Sequence, residues 1–519
     1  MGIFFNPGNG SFTKDRNYEI YVDKTELLKY LNRAIGTPGN CIAVSHARRF
    51  GKSHAAGMID AYYSLGSDSA KLFKGTKIAS DPDYEKYRNK YNVIHLDISS
   101  FWDFHKKDIV EKIIEDIFKE LKMDYPEEFN ERDRISYVLI KIYEKTGIPF
   151  VIIIDEWDCV VRNSTDQDLI HQYLQFLHSL FKSEESKSFL ALGYITGIMP
   201  IKKIKDESAL NNFEEYTMLK SRPITKYYGF TEEEVKALCK RYDMDFETTK
   251  EWYNGYLIDG MHMYNPNSVS QAMKYHDFDS YWRNTSAFGT INNFIMMNYS
   301  GLKEDVLTML SGGKVMVDTE CFQNDLAEIH SKDDALTALI HLGYLGYDAD
   351  MLSAYIPNYE VAKAFQSALK TGEWKDVAAS ISKCDTLLMA TISGNIEKVA
   401  ELIELAHDTY TSILKYNDEN SLSCVLTMAY FTAPAYYTII REMPAGKGFA
   451  DFVFLPRANA GNRPAMIVEL KYNQSADTVI RQIKEKRYQG ALSGYESKIL
   501  LVGISYDSEK HHTCSIEEW

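Results

Sequence analysis

Four consecutive apolar residues, Val151-Ile-Ile-Ile154, run directly into two carboxylates, Asp155 and Glu156. A strand with one wet face alternates apolar and polar residues, so an unbroken run belongs to a strand covered on both faces, as in a parallel sheet flanked by helices. The carboxyl end of such a strand is where open α/β sheets bind ligands, and the two acids sit there. Three more runs read the same way: Cys41-Ile-Ala-Val44, Asn92-Val-Ile-His-Leu-Asp97 and Phe189-Leu-Ala-Leu-Gly-Tyr-Ile195. A helical stretch from Leu169 to Phe181, with apolar residues three and four apart, precedes the last of them. The first third is therefore expected to be α/β, with a four-stranded parallel core.

The run at Cys41 is followed by Ser45-His-Ala-Arg-Arg-Phe-Gly-Lys-Ser53 and then by a helical stretch from His54 to Tyr63. Strand, loop and helix in this order form a phosphate cradle when the loop reads Gly-x-x-x-x-Gly-Lys-Ser/Thr, because loop amides and the helix N-terminus surround the anion. Gly51, Lys52 and Ser53 fit, with Lys52 for the β/γ-phosphates and the Ser53 hydroxyl for magnesium; position 46 carries His in place of the leading Gly. Asp155 would then hold the hydrated magnesium and Glu156 would act as general base toward water. Arg48 and Arg49 fit pairing with phosphate or with a neighbouring acid. Thr196, before Gly197 at the end of a strand, fits a γ-phosphate sensor and a simple strand-ending turn equally well.

A second constellation lies near the other end. Gly448-Phe-Ala-Asp451-Phe-Val-Phe-Leu455 leads a carboxylate into a strand, and Ala465-Met-Ile-Val-Glu469-Leu-Lys471 carries Glu and Lys two apart, on one face of a strand. A hairpin would bring Asp451 and Glu469 to one divalent ion, with Lys471 beside them to orient water or stabilise charge on phosphate. Hard oxygen ligands select magnesium or manganese. Glu-x-Lys also fits an ion pair on a wet sheet face; the preceding Asp and the following helix favour the metal reading. That helix has a buried stripe of Ala476, Val479, Ile480 and Ile483, with Gln482 and Lys486 together on another face. Ile499-Leu-Leu-Val-Gly-Ile504 closes the set. Glu419 fits both a further metal-site acid and a cap on the helix expected at residues 420–431.

Between the two lies a stretch that reads as helical, opening on the capping box Thr231-Glu-Glu-Glu234. The expected organisation is a core over residues 1–230, a helical lid or connector over 231–417 and a small α/β domain over 418–519. A chain of 519 residues exceeds the roughly 250–300 at which one core stops growing, which agrees with several packed units. The net charge of -15 argues against broad nucleic-acid affinity, yet residues 421–519 carry eleven Lys or Arg against ten Asp or Glu, which leaves room for a local basic groove. Seven scattered Cys without a Cys-x-x-Cys pair fit a reducing compartment. With no signal-like N-terminus and no apolar run of about 18 residues, the expectation is a cytoplasmic chain without a membrane partner.

These residues carry a resemblance that covers nearly the whole chain. Arg48-Arg-Phe-Gly-Lys-Ser53, Ile154-Asp-Glu-Trp-Asp158, Thr196-Gly197, Leu210-Asn-Asn-Phe213, Trp252-Tyr-Asn-Gly-Tyr256 and Ile356-Pro-Asn-Tyr-Glu-Val361 resemble the bacterial AAA-ATPase-like family. Gly448, Asp451, Glu469-Leu-Lys471 and Gln482 resemble the PD-(D/E)XK nuclease superfamily to which it is fused. The resemblance implies a P-loop NTPase core, a helical lid-like region and a C-terminal restriction-endonuclease-like α/β domain. It implies ATP and Mg2+ as cofactors, with Mn2+ an alternative at the nuclease site, and DNA as partner, with RNA left open. The family's loop also lacks the first Gly. Where the superfamily often has Gln-x-x-x-Tyr, Lys486 stands four residues beyond Gln482 and the tyrosine is Tyr488. The expected function is ATP-controlled, metal-dependent cleavage of DNA, in a setting such as defence against foreign DNA. The alternatives are a nucleotide-switched binding module without cleavage and a nuclease whose ATPase motifs are only structural. Whether the chain forms an oligomer is left open.

Overall fold

Alternation of strand and helix along the first two hundred residues produces a sheet with helices on both faces, because each fully apolar strand must cover both of its sides. The structure, a computed structural model, describes residues 2–127, 133–201, 210–282, 287–297, 299–310, 312–320, 322, 329–369, 383–414, 425–427, 429–430, 432–433, 436–445, 448–456, 462–486, 498–508 and 511–519. Glu419, Tyr488 and most of the helix expected at 420–431 lie outside them. The chain divides into two compact units, Met1–Asp279 with Met316–Pro357, and Ser280–Val315 with Asn358–Trp519. The stretch 231–417 thus contributes to both.

The sheet of the first unit contains β1 (Cys41–Ser45), β2 (Asn92–Asp97), β3 (Phe150–Asp155), β4 (Leu190–Gly197) and β5 (Glu214–Thr217), in the order β2-β3-β4-β1-β5. All pairings are parallel. Successive residues of β3 feed opposite cores. Ile152 and Ile154 pack with Ile113, Ile117, Leu139 and Leu177 from one layer of helices. Val151 and Ile153 pack with Ile59, Tyr62 and Tyr63 of the helix α1 (Lys52–Tyr63) on the other face. Four strands were expected; β5 is the fifth, pairing with β1 at the sheet edge. Its Glu-Glu-Tyr-Thr sequence is polar because an edge strand stays partly wet.

From residue 231 to residue 414 the described residues are mainly helical. The Thr231 side chain accepts the Glu234 amide and Glu234 returns a bond to the Thr231 amide, the expected capping box, which starts the helix Glu232–Tyr242. Two short sheets interrupt the helical pattern, one of Phe230–Thr231, Met261–Tyr264 and Tyr256–Ile258, the other containing the antiparallel pair Gly346–Asp348 and Ser353–Tyr355.

The second unit contains a mixed sheet of β6 (Tyr437–Ala445), β7 (Gly448–Pro456), β8 (Ala465–Tyr472), β9 (Ile499–Tyr506) and β10 (His512–Glu518), in sequence order. β6, β7 and β8 are antiparallel, β8 and β9 are parallel, and β10 returns antiparallel. The helix α2 (Ala476–Glu485) connects the parallel pair and buries Ala476, Val479, Ile480 and Ile483, the stripe the periodicity predicts. The outer strands β6 and β10 were not anticipated; each is an edge strand carrying charged residues, so neither reads as an apolar run.

Candidate functional site

In the first unit the carboxyl ends of three strands meet. Val44 of β1 aligns with Thr196 and Ser45 with Gly197, while Ile154 of β3 aligns with Ile195, so the loop after β1 and the acids after β3 flank the end of β4. Gly51 takes φ 92° as the residue before α1, and a Cβ built there would meet nothing within 4 Å, so backbone conformation and not crowding calls for glycine. Arg49 also has positive φ, 68°. These turns aim the loop into the N-terminus of a twelve-residue helix, whose first amides and dipole favour an anion.

Lys52 is buried and donates to the carbonyl oxygens of His46 at 2.8 Å and Ala47 at 2.9 Å. Burial lowers its pKa, opposed by the carboxylates of Asp155, Glu156 and Asp158. Ser53, Arg48 and Arg49 are exposed. His46 is fully buried, hydrogen-bonded through Nε2 to the Ser221 hydroxyl and packed 5.2 Å from the Tyr228 ring. Burial pushes it down to about 3, with Lys52 and His341 adding to the fall, so it is neutral. It anchors the loop where a glycine would leave a gap, and Phe50 adds a second anchor, edge-on to Tyr256 at 5.1 Å.

Asp155 is buried and accepts a hydrogen bond from the Thr196 hydroxyl, so these two predicted residues are brought together. Glu156 follows with φ 51°. Its Oε2 is 3.2 Å from an Arg162 nitrogen, and Arg162 Nε is 2.7 Å from Asp158 Oδ2. Burial raises the pKa of Glu156 and Arg162 draws it back. Asp158 is wholly buried and accepts the amides of Ile198 at 3.1 Å and Met199 at 2.9 Å, so it ties β3 to the chain beyond β4. Arg162 is a further residue of this site, and its four-residue spacing from Asp158 is the one sign of it in the sequence.

The second unit brings Asp451, Glu469 and Lys471 together. The Asp451 amide donates to Glu469 Oε2 at 3.3 Å, the Leu470 amide donates to Asp451 Oδ2 at 2.8 Å, and Lys471 Nζ is 3.6 Å from Glu469 Oε1. Burial pushes Glu469 up to about 7 and the Asp451 charge adds to the rise, while Lys471 and Lys486 draw it down. A buried carboxylate whose ionisation a neighbouring carboxylate disfavours fits a divalent cation, which favours the charged form. Among the described residues no group of three His, Cys, Asp or Glu forms a metal cluster. Two carboxylates still suffice for magnesium, which keeps several waters and binds through one or two acids plus phosphate. Gln482 on α2 and Lys486, the cap at its C-terminus, are half-buried, and the charge of Lys486 reaches Glu469.

Comparison with known proteins finds two domain families along the chain. Residues 9–205 match the family described as Predicted AAA-ATPase, and residues 417–519 match the PD-(D/E)XK nuclease superfamily. A curated protein of Azotobacter chroococcum mcd 1, the uncharacterized protein in the vnfD 5' region, is 24% identical over 287 residues, covering 54% of this chain and 53% of its own. The chain thus spans about half the length of that relative. The Aeropyrum pernix ORC2 protein (ADPNP-ADP complexes) aligns at 10% identity over 71% of this chain and 100% of that chain, with a TM-score of 0.25. The replication initiator DnaA bound to AMPPCP and single-stranded DNA aligns at 11% over 76% of this chain and 97% of that chain, with a TM-score of 0.27. At such scores the likeness carries no weight, and the strand order itself defines the fold. No described helix is long and apolar enough to cross a membrane.

Proposed function

We propose that this chain, which joins an AAA-ATPase-like domain at residues 9–205 to a PD-(D/E)XK nuclease-superfamily domain at residues 417–519, binds and hydrolyses ATP in the first and cuts DNA in the second. The observation that carries the reading is the assembly, in each unit, of acids and a lysine from separate segments at the carboxyl end of a buried strand.

In the first unit the Gly51–Ser53 amides and the α1 N-terminus receive the phosphates, with Arg48 and Arg49 at the loop surface. Lys52 exchanges its two carbonyl partners for phosphate oxygens, which keeps a buried ammonium paired throughout. Ser53 and Asp155 would hold magnesium, which would supply charge neutralisation on the phosphates. Glu156 accepts the proton of the attacking water, and Thr196 fixes the Asp155 carboxylate.

In the second unit Asp451 and Glu469 would hold magnesium or manganese, which supplies Lewis acidity at the phosphate and an activated water. Lys471 stabilises charge on the cleaved phosphate. Gln482 and Lys486 present polar groups from α2 toward the nucleic-acid backbone. The test is cleavage of single- and double-stranded DNA and of RNA by the full chain, with and without ATP, in magnesium and in excess chelator. Cleavage that needs the metal supports the reading, and binding without cleavage on every substrate replaces it with a binding module.

A further inference from the structure

One guanidinium joins the proposed base of the ATPase site, through Asp158, to the chain that follows β4. Arg162 lies on the short helix Cys159–Asn163, and its side chain is 9% exposed. It donates from Nε to Asp158 Oδ2 at 2.7 Å and from a terminal nitrogen to Glu156 Oε2 at 3.2 Å. The same Asp158 oxygen accepts the amides of Ile198 and Met199. Those residues are also tied to the phosphate loop. The His46 amide donates to the Gly197 carbonyl at 3.1 Å and the Ser45 hydroxyl donates to the Met199 carbonyl at 3.1 Å. An unbroken series of bonds therefore runs from the loop through Gly197–Met199 to Asp158, Arg162 and Glu156.

The crossing point has little slack. A Cβ on Gly197 would lie 2.6 Å from Trp157 Nε1 and 2.9 Å from Asp158 Oδ1, and the Trp157 amide donates to the Thr196 carbonyl at 2.9 Å. Glu156, with its positive φ, takes a backbone conformation that non-glycine residues adopt only when their surroundings impose it. Arg162 engages Oε2 alone, which leaves Oε1 as the oxygen to take a proton. A planar guanidinium spans two carboxylates, whereas a lysine ammonium acts as a single point charge.

We propose that Arg162 is a positioning residue for ATP hydrolysis: it fixes the orientation of Glu156 and couples it, through Asp158, to the Gly197–Met199 segment beside the phosphate loop. The proposal rests on the ATPase reading. Under it, Arg162→Lys keeps a charge near the buried Asp158 and loses the fork that orients Glu156. The double variant Asp158→Asn/Arg162→Gln removes both charges together, so neither is left buried alone.

The experiment measures ATP binding and steady-state ATP hydrolysis by the full chain for wild type, Arg162→Lys, the double variant, Glu156→Gln, and Glu156→Gln/Arg162→Lys. The expected result is ATP affinity within about threefold of wild type and kcat at least about tenfold lower in Arg162→Lys and in the double variant. Glu156→Gln/Arg162→Lys should be no slower than Glu156→Gln alone, because Arg162 acts through Glu156. Wild-type kcat in Arg162→Lys, parallel loss of binding and turnover, or additive loss in the combined variant overturns the proposal while the ATPase reading stands. If wild type does not hydrolyse ATP, or Glu156→Gln hydrolyses it normally, both fall.

Discussion

The Lys52 ammonium lies 2.8 Å from the carbonyl oxygen of His46, the residue that stands where a phosphate loop usually has its first glycine. The lysine and the loop that should receive phosphate therefore hold each other in place. Lys52→Ala removes the charge meant for phosphate and should lower ATP affinity at least tenfold, since a charge-assisted contact contributes about 1.5–3 kcal/mol. Glu156→Gln should bind ATP as wild type does and fail to turn it over. Equilibrium binding with a fluorescent ATP analogue and a phosphate-release assay separate the two.

The buried His46 predicts a pH dependence of stability. Its pKa falls from the ordinary 6.5 to about 3 because the ring is buried, with Lys52 and His341 nearby. Between those values the unfolded chain binds a proton that the folded chain refuses, so stability is full above pH 6.5 and declines as pH falls through this window. The slope approaches about 1.4 kcal/mol per pH unit for one such proton. Thermal midpoints of wild type and His46→Gln at pH 7.5 and 5.5 should show the larger loss in wild type; equal losses contradict a neutral buried His46.

Lys486 predicts a salt-dependent effect. It stands where a tyrosine is common in the superfamily, and its charge reaches Glu469 from the end of α2. Lys486→Gln should weaken DNA binding several-fold, uniformly across sequences, and flatten the slope of log affinity against log salt by about one. DNA affinities titrated in salt check it.

Nucleotide state should alter cleavage. A ligand shifts an equilibrium only through unequal affinity for two conformations, and typical coupling between sites begins near 1 kcal/mol. A nonhydrolysable ATP analogue is therefore expected to change the cleavage rate at least about fivefold relative to ADP. Equal rates with both nucleotides bound would mean that the two domains are only fused.

The parts of the fold that were legible in the sequence are those written in local patterns. The run Val151–Ile154 must be covered on both faces, the alternation around Glu469 fixes which residues share its side, and Thr231 with Glu234 forms a capping box within four residues of sequence. Asp259-Gly260, with φ of 53° and 80°, turns the short hairpin at Tyr256–Tyr264; the dipeptide was a turn signal, but its flanking strands of three and four residues fall below what periodicity detects. The edge strands β5, β6 and β10 were missed because partly wet strands carry mixed residues. Strand order was also hidden: nothing local says that β4 inserts between β1 and β3, although this is what sets Thr196 against Asp155. Arg162 was missed although its spacing from Asp158 is local, since its pairing with Glu156 depends on the left-handed backbone of Glu156 and on the five-residue helix that carries Arg162.

Whether the second unit is a metal-dependent nuclease is decided by cleavage of linear single- and double-stranded DNA in magnesium and ATP by wild type and Glu469→Ala. With two acids sharing one cation, loss of Glu469 removes half of the protein's ligands while leaving the sheet and α2 intact. The predicted result is cleavage by wild type, lost in chelator and not supported by calcium, and background cleavage by a folded Glu469→Ala that still binds ATP. Cleavage by Glu469→Ala at the wild-type rate, or intact DNA after incubation with active, ATP-bound wild type on every substrate, would contradict it.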